Sequence, residues 1–391
     1  ICINQFAFRE ASITKNALCR VTETIFKKLD QEKKVIEICL DLQKVFDIVA
    51  HQIPLKRLDF MGIKRTPNNL IKSYLERKQS TKIANEVGEE VEFAVPQGTV
   101  LSTLLFNVYI DSLMSILTEN SVVFCFADDS SILIWGDDWE TAKDQAEKAI
   151  QKIKHWLDNS LLSLNVNKTK FVNFALSPRS LPEFENLKIH NHDCDLNQNC
   201  ICNNLIKRVT YIKYLGVLID QNFTWKEHIS YVTTKIRKLI YKFYELRHVL
   251  SLSTLKMVYY ALVETVLSYG LVVWGSAGVT ILNKLQVAQK YIIKIMLFKN
   301  GFSTELLFKE SQLLDIRQLH IKAVVRFMIK CSYYNECISH GHNIRNAAQK
   351  SVTRQNPKNT ICQNHIYCLG PKIFNCLPNI KVKPYSKSKT R

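Results

Sequence analysis

Apolar residues near the start of the chain recur at helical spacing and then merge into a continuous run. Over residues 12–30 they stand three or four positions apart, which is the spacing of one buried helix face. Residues 35–40 are nearly all apolar and lead directly into Asp41, the pattern of a buried strand. We therefore predict a helix over 12–30 and a strand over 35–40.

The middle of the chain alternates short apolar segments with turn residues. Thr66-Pro67 is typical of a helix start, because proline fits the first helical turn. Gly88 marks a turn between two short strands, and Pro96-Gln97-Gly98 interrupts the chain before a further helix. The predicted elements are helices over 44–60, 67–78 and 101–117, and strands over 81–83 and 91–94.

Two apolar runs enclose a short acidic segment. Residues 122–126 and 131–135 flank Ala127-Asp128-Asp129-Ser130, which predicts a β-hairpin with acidic residues at its tip. A long amphipathic helix is predicted over 139–160, with strands over 171–176 and 214–219. From about residue 226 the spacing is helical throughout, so the order is α+β first and all-α afterwards.

Charge is distributed very unevenly along the chain. The net charge is +18, and residues 226–391 contain 26 Lys and Arg against 7 Asp and Glu, while residues 1–225 are nearly neutral. A one-sided basic surface favours a polyanionic partner such as nucleic acid or an acidic membrane surface. A merely solubilising surface is the alternative.

Cysteine and hydropathy patterns suggest an intracellular protein. The chain begins on Ile1, which we interpret as a cut end, and no signal peptide pattern follows. We therefore expect the 12 cysteines to be reduced thiols, in the cytoplasm or nucleus. Zinc is a weaker interpretation, with two candidate groups: His192, Cys194, Cys200 and Cys202, and Cys362, His365, Cys368 and Cys376.

One apolar stretch approaches the length of a membrane span. Residues 257–275 contain a single charge, Glu264. A carboxylate at mid-span is costly in lipid, so a buried helix of a soluble domain is the better interpretation, and we expect no membrane partner.

Carboxylates follow or join predicted strands at two places. Asp41 ends one buried strand, and Asp128-Asp129 occupies the hairpin tip. If these strands are neighbours, the carboxylates converge at one sheet edge, where they suit Mg²⁺, a hard cation that shares oxygen ligands with phosphates. Two such ions activate a hydroxyl nucleophile and stabilise a leaving group in phosphoryl transfer. Each site alone is equally compatible with ordinary turn chemistry.

An ordered set of motifs decides whether these aspartates are interpreted as a metal site or as ordinary turn residues. In the one-letter code they are QFAFR (5–9), DLQKVFDIVAH (41–51), PQGTVLSTLLFN (96–107), FADD (126–129), LNVNKTK (164–170) and YLGVLID (214–220), with Trp225 and His228 beyond. Together they resemble the motifs of reverse transcriptases carried by non-LTR retrotransposons, and jockey-like elements in particular. The resemblance covers about residues 5–300.

The resemblance implies a right-hand polymerase fold of the α+β class. The expected parts are partial fingers over 1–34, a palm with an antiparallel sheet and helices over 35–225, and a helical thumb over 226–300. A basic region over 301–391 has no interpretable motif, and we expect its end, from Lys381, to be disordered. The implied function is RNA-directed DNA synthesis from a DNA primer on an RNA template, using deoxynucleoside triphosphates. The alternative is a truncated, catalytically weak remnant that only binds RNA or DNA.

The resemblance also implies roles for individual residues. Asp41, Asp128 and Asp129 are the expected ligands of two Mg²⁺ ions, with Mn²⁺ as a possible substitute. The other implied roles are a sugar gate at Phe46, nucleotide contacts at Gln97, Gly98 and Arg9, proton donation or charge neutralisation at Lys168, and primer positioning at Tyr214, Leu215 and Gly216. Without the motifs, Phe46 reads as a core aromatic and Lys168 as a solvated loop lysine.

The chain departs from the family pattern in a few places. Ala7 replaces the usual glycine, Ile13-Thr14 replaces a Ser-Thr pair, Val45 replaces alanine beside the gate, and Thr103 replaces a proline. None of these changes removes a metal ligand. The family carries a fingertip segment and an endonuclease domain upstream of the position of Gln5, and we expect this chain to lack both, as well as any ribonuclease H pattern.

The basic half contains amphipathic helices with lysine on one side. Val232, Ile236, Leu239, Ile240, Phe243 and Leu246 form an apolar stripe, while Lys235, Lys238 and Lys242 occupy another face. The segment from Leu282 to Ile293 repeats the pattern with Lys284 and Lys290. We predict that these lysines track a phosphate backbone.

Overall fold

The computed structural model describes residues 2–9, 12–43, 50–76, 82–83, 86–87, 99–117, 119–190, 204–299, 301–330 and 356–376. The chain forms two compact units. The first unit consists of Ile1–Val21 and Gln31–Gly216, and the second of Thr22–Asp30 and Val217–Arg391. The predicted boundaries at residues 34, 225 and 300 stay a prediction, as does the assignment of fingers, palm and thumb.

The described elements give a mixed α+β protein, as the sequence predicts. The helices are α1 Thr14–Asp30, α2 Gln52–Phe60, α3 Thr66–Leu75, α4 Val100–Ile110, α5 Trp139–Asn159, α6 Lys226–Leu246, α7 Leu252–Tyr259, α8 Thr265–Ser268, α9 Leu271–Trp274, α10 Val279–Leu297, α11 Thr304–Ser311, α12 Ile316–Lys330, α13 Thr360–Gln363 and α14 Ile366–Asn375. The strands are β1 Lys34–Leu40, β2 Leu42–Gln43, β3 Lys82–Ile83, β4 Glu86–Val87, β5 Ser121–Phe126, β6 Asp129–Gly136, β7 Ser163–Leu164, β8 Lys170–Phe174, β9 Asn186–Lys188, β10 Leu205–Arg208, β11 Tyr211–Tyr214 and β12 Val217–Asp220. Short 3₁₀ turns follow α4 at Asp111–Ser115 and occur at Pro178–Ser180.

A six-stranded sheet organises the first unit, in the order β5-β6-β1-β8-β10-β9. Its pairs are antiparallel except β8 with β10. Strand β1 is central and buried on both faces, which explains its continuous apolar sequence. Ile36, Ile38 and Leu40 share one face and pack in a core with Ala146 and Ile150 of α5. This core fixes the strand that leads into Asp41.

The second unit is helical and contains a long-range contact between α1 and the segment 357–376. The Asp30 carboxylate accepts hydrogen bonds from the backbone and side-chain nitrogens of Asn359, at 3.0 and 3.2 Å. Thr22 Oγ1 lies 2.9 Å from His365 Nε2, and the Phe26 ring lies 5.0 Å from the His365 ring. The late helices therefore complete the packing of a helix that begins at Thr14.

A buried aspartate shapes the entrance to α6. Asp220 Oδ1 accepts the backbone N–H groups of Asn222 and Thr224, at 3.2 and 2.9 Å, and Oδ2 accepts that of Trp225 at 2.6 Å. His228 Nδ1 accepts the Leu218 N–H at 3.2 Å. The aspartate, tryptophan and histidine of the last motif thus hold the turn between β12 and α6.

One local prediction differs from the structure. The single strand predicted over 214–219 is interrupted by a turn, because Leu215 and Gly216 have positive φ values of 45° and 81°. The strand predicted over 81–83 is present as β3, which pairs with β4. The turn at Gly88 and the strand predicted over 91–94 lie within residues 88–98, outside the described part of the chain.

The apolar stretch over 257–275 is divided among several short elements. A π-helical turn occupies Tyr260–Glu264, and Gly270 adopts a left-handed conformation before α9. Glu264 forms a 3.0 Å ion pair with Lys322. Among the helices in the described residues, none is both long and apolar enough to cross a membrane.

The described residues do not support a zinc site. Cys362 Sγ contacts the Phe26 carbonyl at 3.6 Å and His365 bonds Thr22. Across the described ranges, no group of three or more His, Cys, Asp or Glu side chains is arranged to hold a metal ion. Residues 191–203, which include the other candidate group, lie outside those ranges.

Candidate active site

A tight hairpin presents the paired aspartates. Strands β5 and β6 pair up to Phe126 opposite Asp129, so Ala127 and Asp128 form a two-residue turn. Ala127 has a φ of 57°, the left-handed conformation that such hairpin turns require. Asp128 and Asp129 are both exposed at this tip. The acidic hairpin predicted from the sequence is confirmed.

Asp41 lies directly beside this hairpin. Strand β1 pairs with β6 up to Leu40 opposite Ser130, and with β8 up to Cys39 opposite Lys170. Asp41 follows Leu40 and Asp129 precedes Ser130, so the Asp41 and hairpin carboxylates come to one edge of the sheet. Lys168 lies in the turn before β8, two residues ahead of the last paired residue, Lys170.

The electrostatics of this edge are those of crowded carboxylates. Desolvation is the main cause that raises the pKa of Asp129, followed by the negative charges of Asp128 and Asp41, while Lys213 lowers it. The side chain still reaches solvent. A cation bound here relieves this repulsion, since an opposite charge favours the ionised carboxylate.

The loop after β7 holds both Lys168 and the main chain of Asp41. Asn165 N–H donates to the Asp41 carbonyl at 2.9 Å, and Asp41 N–H donates to Thr169 Oγ1 at 3.3 Å. Lys168 N–H donates to the Asn165 carbonyl and to Asn165 Oδ1, at 3.2 and 3.3 Å. The Lys168 side chain is exposed.

The segment Tyr214-Leu215-Gly216 presents backbone rather than an aromatic ring. Tyr214 is 2% exposed, and burial raises the pKa of its phenol well above the usual range, with Cys125, Cys39, Glu37 and Asp129 as nearby contributors. Leu215 and Gly216 form the half-exposed turn that follows. Any contact with a primer at this segment is therefore made by the turn.

The N-terminal motif lies along the hairpin that carries the aspartates. Phe6 N–H donates to the Cys125 carbonyl at 2.9 Å, beside the bridge between Gln5 and Cys125. Asn107 Nδ2 donates to the carbonyl of Ala7 at 2.9 Å, which links two separate motifs. Arg9 NH1 donates to the carbonyls of Cys2 and Gln5, so this part of its guanidinium serves the loop itself.

Three residues predicted to contact the nucleotide lie outside the described residues: Phe46, Gln97 and Gly98. The described chain resumes at Thr99, which caps α4 by accepting the Ser102 N–H at 3.2 Å. Tyr74 OH lies 2.6 Å from Thr99 Oγ1 and 3.1 Å from Ser102 Oγ. This hydroxyl cluster anchors the helix that follows the glutamine motif.

The aspartates at the sheet edge offer oxygen donors, which Mg²⁺ prefers. In the structure Asp41, Asp128 and Asp129 are not arranged as a group that could hold a metal ion by themselves. Mg²⁺ in nucleotide-handling sites is held by one or two carboxylates together with substrate phosphates and waters. The charges of Asp128 and Asp41 raise the pKa of Asp129, which makes the three carboxylates neighbours, and their role as metal ligands stays a prediction. A carboxylate edge of this kind is suited to metal-assisted phosphoryl transfer.

Residues 1–219 match the family model described as reverse transcriptase (RNA-dependent DNA polymerase). This is more than half of the chain, so the protein belongs to the reverse transcriptase family.

Curated relatives are similar over about three quarters of the chain. A probable RNA-directed DNA polymerase from transposon X-element of Drosophila melanogaster is 26% identical over 305 residues, which cover 75% of this chain and 32% of that protein. An RNA-directed DNA polymerase from the mobile element jockey of Drosophila funebris is 27% identical over 302 residues, covering 74% and 31%. The chain thus spans about a third of the length of these relatives. The expected resemblance to non-LTR and jockey-like elements is confirmed.

Among solved structures, telomerases of two yeasts are similar. The Candida albicans telomerase in complex with a fragment of telomeric RNA has a TM-score of 0.38 at 12% identity, covering 76% of this chain and 53% of the other. The apo telomerase of Candida tropicalis has a TM-score of 0.37 at 13% identity, covering 80% and 50%.

Sequence reasoning overlooked two residues that support the site. Thr169 belongs to the LNVNKTK motif, yet only Lys168 drew attention because a lysine carries obvious chemistry. Glu37 lies four residues before Asp41 and is fully buried. An acidic residue inside an otherwise apolar strand was the available signal for it.

Proposed function

We propose that this chain is the polymerase part of a non-LTR retrotransposon protein and catalyses RNA-templated DNA synthesis. The observation that supports this most directly is the position of Asp41 at the end of β1, beside the hairpin that carries Asp128 and Asp129, where the charges of Asp128 and Asp41 raise the pKa of Asp129. The substrates are a DNA primer, an RNA template and deoxynucleoside triphosphates.

In the proposed reaction the 3′ oxygen of the primer attacks the α-phosphorus of the nucleotide, and the bond to the bridging oxygen breaks to release pyrophosphate. Asp41 and Asp128 hold the divalent ions, with Asp129 beside them. When bound, the two ions activate the hydroxyl and stabilise charge on the leaving group. Lys168 donates a proton to the pyrophosphate or neutralises its charge.

The remaining roles concern selection and positioning. Phe46 closes the space beneath the sugar and excludes a 2′-hydroxyl, while Gln97 contacts the nucleotide and Gly98 lets the backbone approach it. The Leu215-Gly216 turn supports the primer end, with Tyr214 as its buried anchor. Arg9 is the remaining candidate for a nucleotide contact, through guanidinium nitrogens other than the one bound to Cys2 and Gln5.

A surface for the nucleic acid is provided by α6. Lys235, Arg237, Lys238 and Lys242 are exposed, and the acidic residues of α6 are Glu227 in its first turn and Glu245 near its end. The apolar stripe expected on this helix is buried at Val232, Ile236 and Phe243. Exposed cations along one helix face suit phosphate contacts that position a nucleic acid without reading its sequence.

Aromatic rings accompany these cations. The Lys235 ammonium lies 4.3 Å from the Tyr231 ring centroid, and the Arg247 guanidinium lies 4.1 Å from that of Tyr244. Tyr241 is 68% exposed. Rings and cations together can stack on sugars or bases as well as neutralise phosphates.

Primer extension on an RNA template with Mg²⁺ and all four deoxynucleotides tests the proposal. We expect Asp128→Asn to lower extension by about a hundredfold or more, because several kcal/mol of charge stabilisation are lost. Asp137→Asn is the matched control, since Asp137 is an exposed aspartate just beyond the other end of β6, ion-paired with Lys33. Nucleic-acid affinity should be unchanged in both variants. Binding without extension by the unmodified chain would instead favour a protein that only binds RNA or DNA.

A further inference from the structure

The main chain of Asp41 requires hydrogen-bond partners that the sheet does not supply. The ladder between β1 and β6 ends at Leu40, and pairing resumes only at Leu42, in a different sheet with β7. Asp41 therefore stands at a crossing point between two sheets. A buried or half-buried backbone group without a partner is costly, so its N–H and carbonyl have to be satisfied from elsewhere.

A single loop satisfies both groups. The Asp41 N–H donates to Thr169 Oγ1 at 3.3 Å, and the Asp41 carbonyl accepts the Asn165 N–H at 2.9 Å. The carboxylate of Asp41 projects from a residue whose backbone is held on both sides. Rotation of the peptide units that flank it would break one of these bonds.

The Thr169 hydroxyl has consistent donor and acceptor roles. It donates its only proton to the Asn165 carbonyl at 2.9 Å, which leaves its lone pairs to accept from Asp41. The Thr169 N–H also donates to the Asn165 carbonyl, at 2.9 Å. Thr169 is 0% exposed, so water cannot replace the hydroxyl. Serine can reproduce these bonds, whereas valine keeps the shape of the side chain and loses them.

From these contacts we propose that Thr169 is a positioning residue: its hydroxyl fixes the backbone of Asp41 so that the carboxylate is presented to the divalent ion. The same loop carries Lys168, whose N–H is bonded to Asn165. One turn therefore bonds the main chain of Asp41 and also carries Lys168. The inference rests on the proposed function, because it takes Asp41 as a metal ligand.

The test is Mn²⁺ binding to the 391-residue chain, followed by electron paramagnetic resonance of the free ion. We expect Thr169→Val to weaken Mn²⁺ binding about threefold to tenfold, which corresponds to the loss of one hydrogen bond. Thr169→Ser should stay within about twofold of the unmodified chain, on the same reasoning. Thr233→Val is the matched control, because Thr233 is a buried threonine whose hydroxyl bonds none of the described residues.

Asp41→Asn separates failure of this inference from failure of the proposed site. If Asp41→Asn abolishes Mn²⁺ binding while Thr169→Val binds normally, Thr169 is only a core residue and this inference is wrong. If Asp41→Asn itself binds Mn²⁺ normally, the proposed metal site is wrong. A Thr169→Ser variant as weak as Thr169→Val would also overturn the inference, because volume rather than the hydroxyl would then be decisive.

Amide hydrogen exchange provides a second measurement that needs no variant to fold. The Asp41 amide of the unmodified chain should exchange much more slowly than an unprotected amide, because Thr169 accepts its hydrogen bond. Exchange of that amide at the unprotected rate, in a chain whose β1 amides are protected, would contradict the inference.

Discussion

The carboxylate of Glu37 accepts a hydrogen bond from the Ser131 hydroxyl at 2.5 Å inside the central sheet. Its other oxygen bonds none of the described residues. Cys39 Sγ lies 3.9 Å from the bonded oxygen. Glu37 and Asp41 are four residues apart and point to the same side of the strand. A buried, ionisable group thus lies behind the candidate metal site.

Glu37 should make stability fall as the pH rises. Burial raises the pKa of Glu37 to about 7, from 4.5, although the Ser131 and Cys39 contacts oppose the shift. The folded state therefore holds a proton that the unfolded state releases, and this stabilisation is fully present below about 4.5 and lost as pH rises through 7. The shift corresponds to roughly 3 kcal/mol at most.

Comparison of Glu37→Gln with the unmodified chain isolates this effect, because glutamine keeps the shape and an acceptor for Ser131. We expect the free energy of unfolding of Glu37→Gln to exceed that of the unmodified chain above pH 7, and the difference to shrink towards pH 5. Urea denaturation at pH 5 and pH 8 measures it. Parallel pH dependences for the two proteins would show that Glu37 does not titrate in this range.

Three buried histidines should make the helical unit sensitive to acid. Burial is the main cause that lowers the pKa of His228 and of His320 to about 4 and of His365 to about 3. In the unfolded chain these histidines bind protons below their usual pKa of about 6.5, whereas in the folded chain they do so only at about pH 4 or lower. Stability is therefore complete above about 6.5 and falls as the pH drops towards 4, by about 3 kcal/mol per group at most.

His320→Leu tests this dependence. The His320 ring packs against Gly275, where an added Cβ would lie 2.4 Å from it, so the site is tight and apolar. We expect the variant to lose less stability than the unmodified chain between pH 7 and pH 4.5, measured by circular dichroism during urea denaturation. His248→Gln is the control, since His248 is exposed. An unchanged acid sensitivity in His320→Leu would exclude His320 as a contributor.

Removing the Asp220 carboxylate should strongly destabilise the helical unit. Three backbone N–H groups, those of Asn222, Thr224 and Trp225, would lose their acceptor in a buried loop. We expect Asp220→Ala to lower the free energy of unfolding by about 2–4 kcal/mol. Asp138→Ala is the comparison, because Asp138 caps α5 in an exposed position and its loss should cost much less. Equal losses would show that burial of the Asp220 loop adds nothing.

The exposed cations of α6 should dominate the salt dependence of nucleic-acid binding. We expect the triple change of Lys235, Lys238 and Lys242 to Gln to flatten the slope of log K against log salt by up to roughly 0.9 for each duplex phosphate that is no longer neutralised. The same change at Lys143, Lys148 and Lys152 of α5 is the charge-matched control. Binding isotherms between about 50 and 200 mM salt measure both. If the α6 and α5 triple variants have equal slopes, the excess positive charge of residues 226–391 serves solubility rather than nucleic-acid binding.

Local signals in the sequence were sufficient for the strand before Asp41 and for the acidic hairpin, and less so for their surroundings. The apolar run before Asp41 and the acidic hairpin at Asp128 were predictable because strand and turn patterns are local. The turn at Leu215-Gly216 was missed because Leu215 belongs to an apolar run, and a leucine with positive φ has no sequence signature. The hydrogen bond between Asp41 and Thr169 joins residues 128 positions apart, and a periodic pattern along the sequence does not reveal such a distant contact.

The same limit applies to the end of the chain. Cys362 and His365 suggested a metal group by composition, whereas the structure uses them to contact Phe26 and Thr22. Contacts separated by more than 300 residues leave no periodic trace. A consequence is that a fragment ending at residue 225 would uncover Phe26, so substitutions on α6 test nucleic-acid binding more cleanly than a deletion.

The contact of Asn359 and His365 with α1 also imposes an order on biosynthesis. The second half of α1 leaves the ribosome before its partners, which are made more than 300 residues later. At about 5–20 residues per second, roughly 20–70 seconds pass between the synthesis of this helix and that of the residues that bury its apolar side. During this interval Phe26 and its neighbours are exposed to chaperones and to other nascent chains. The helical unit is therefore completed only after residues 359–365 are made, by which point every described strand of the six-stranded sheet has already been made.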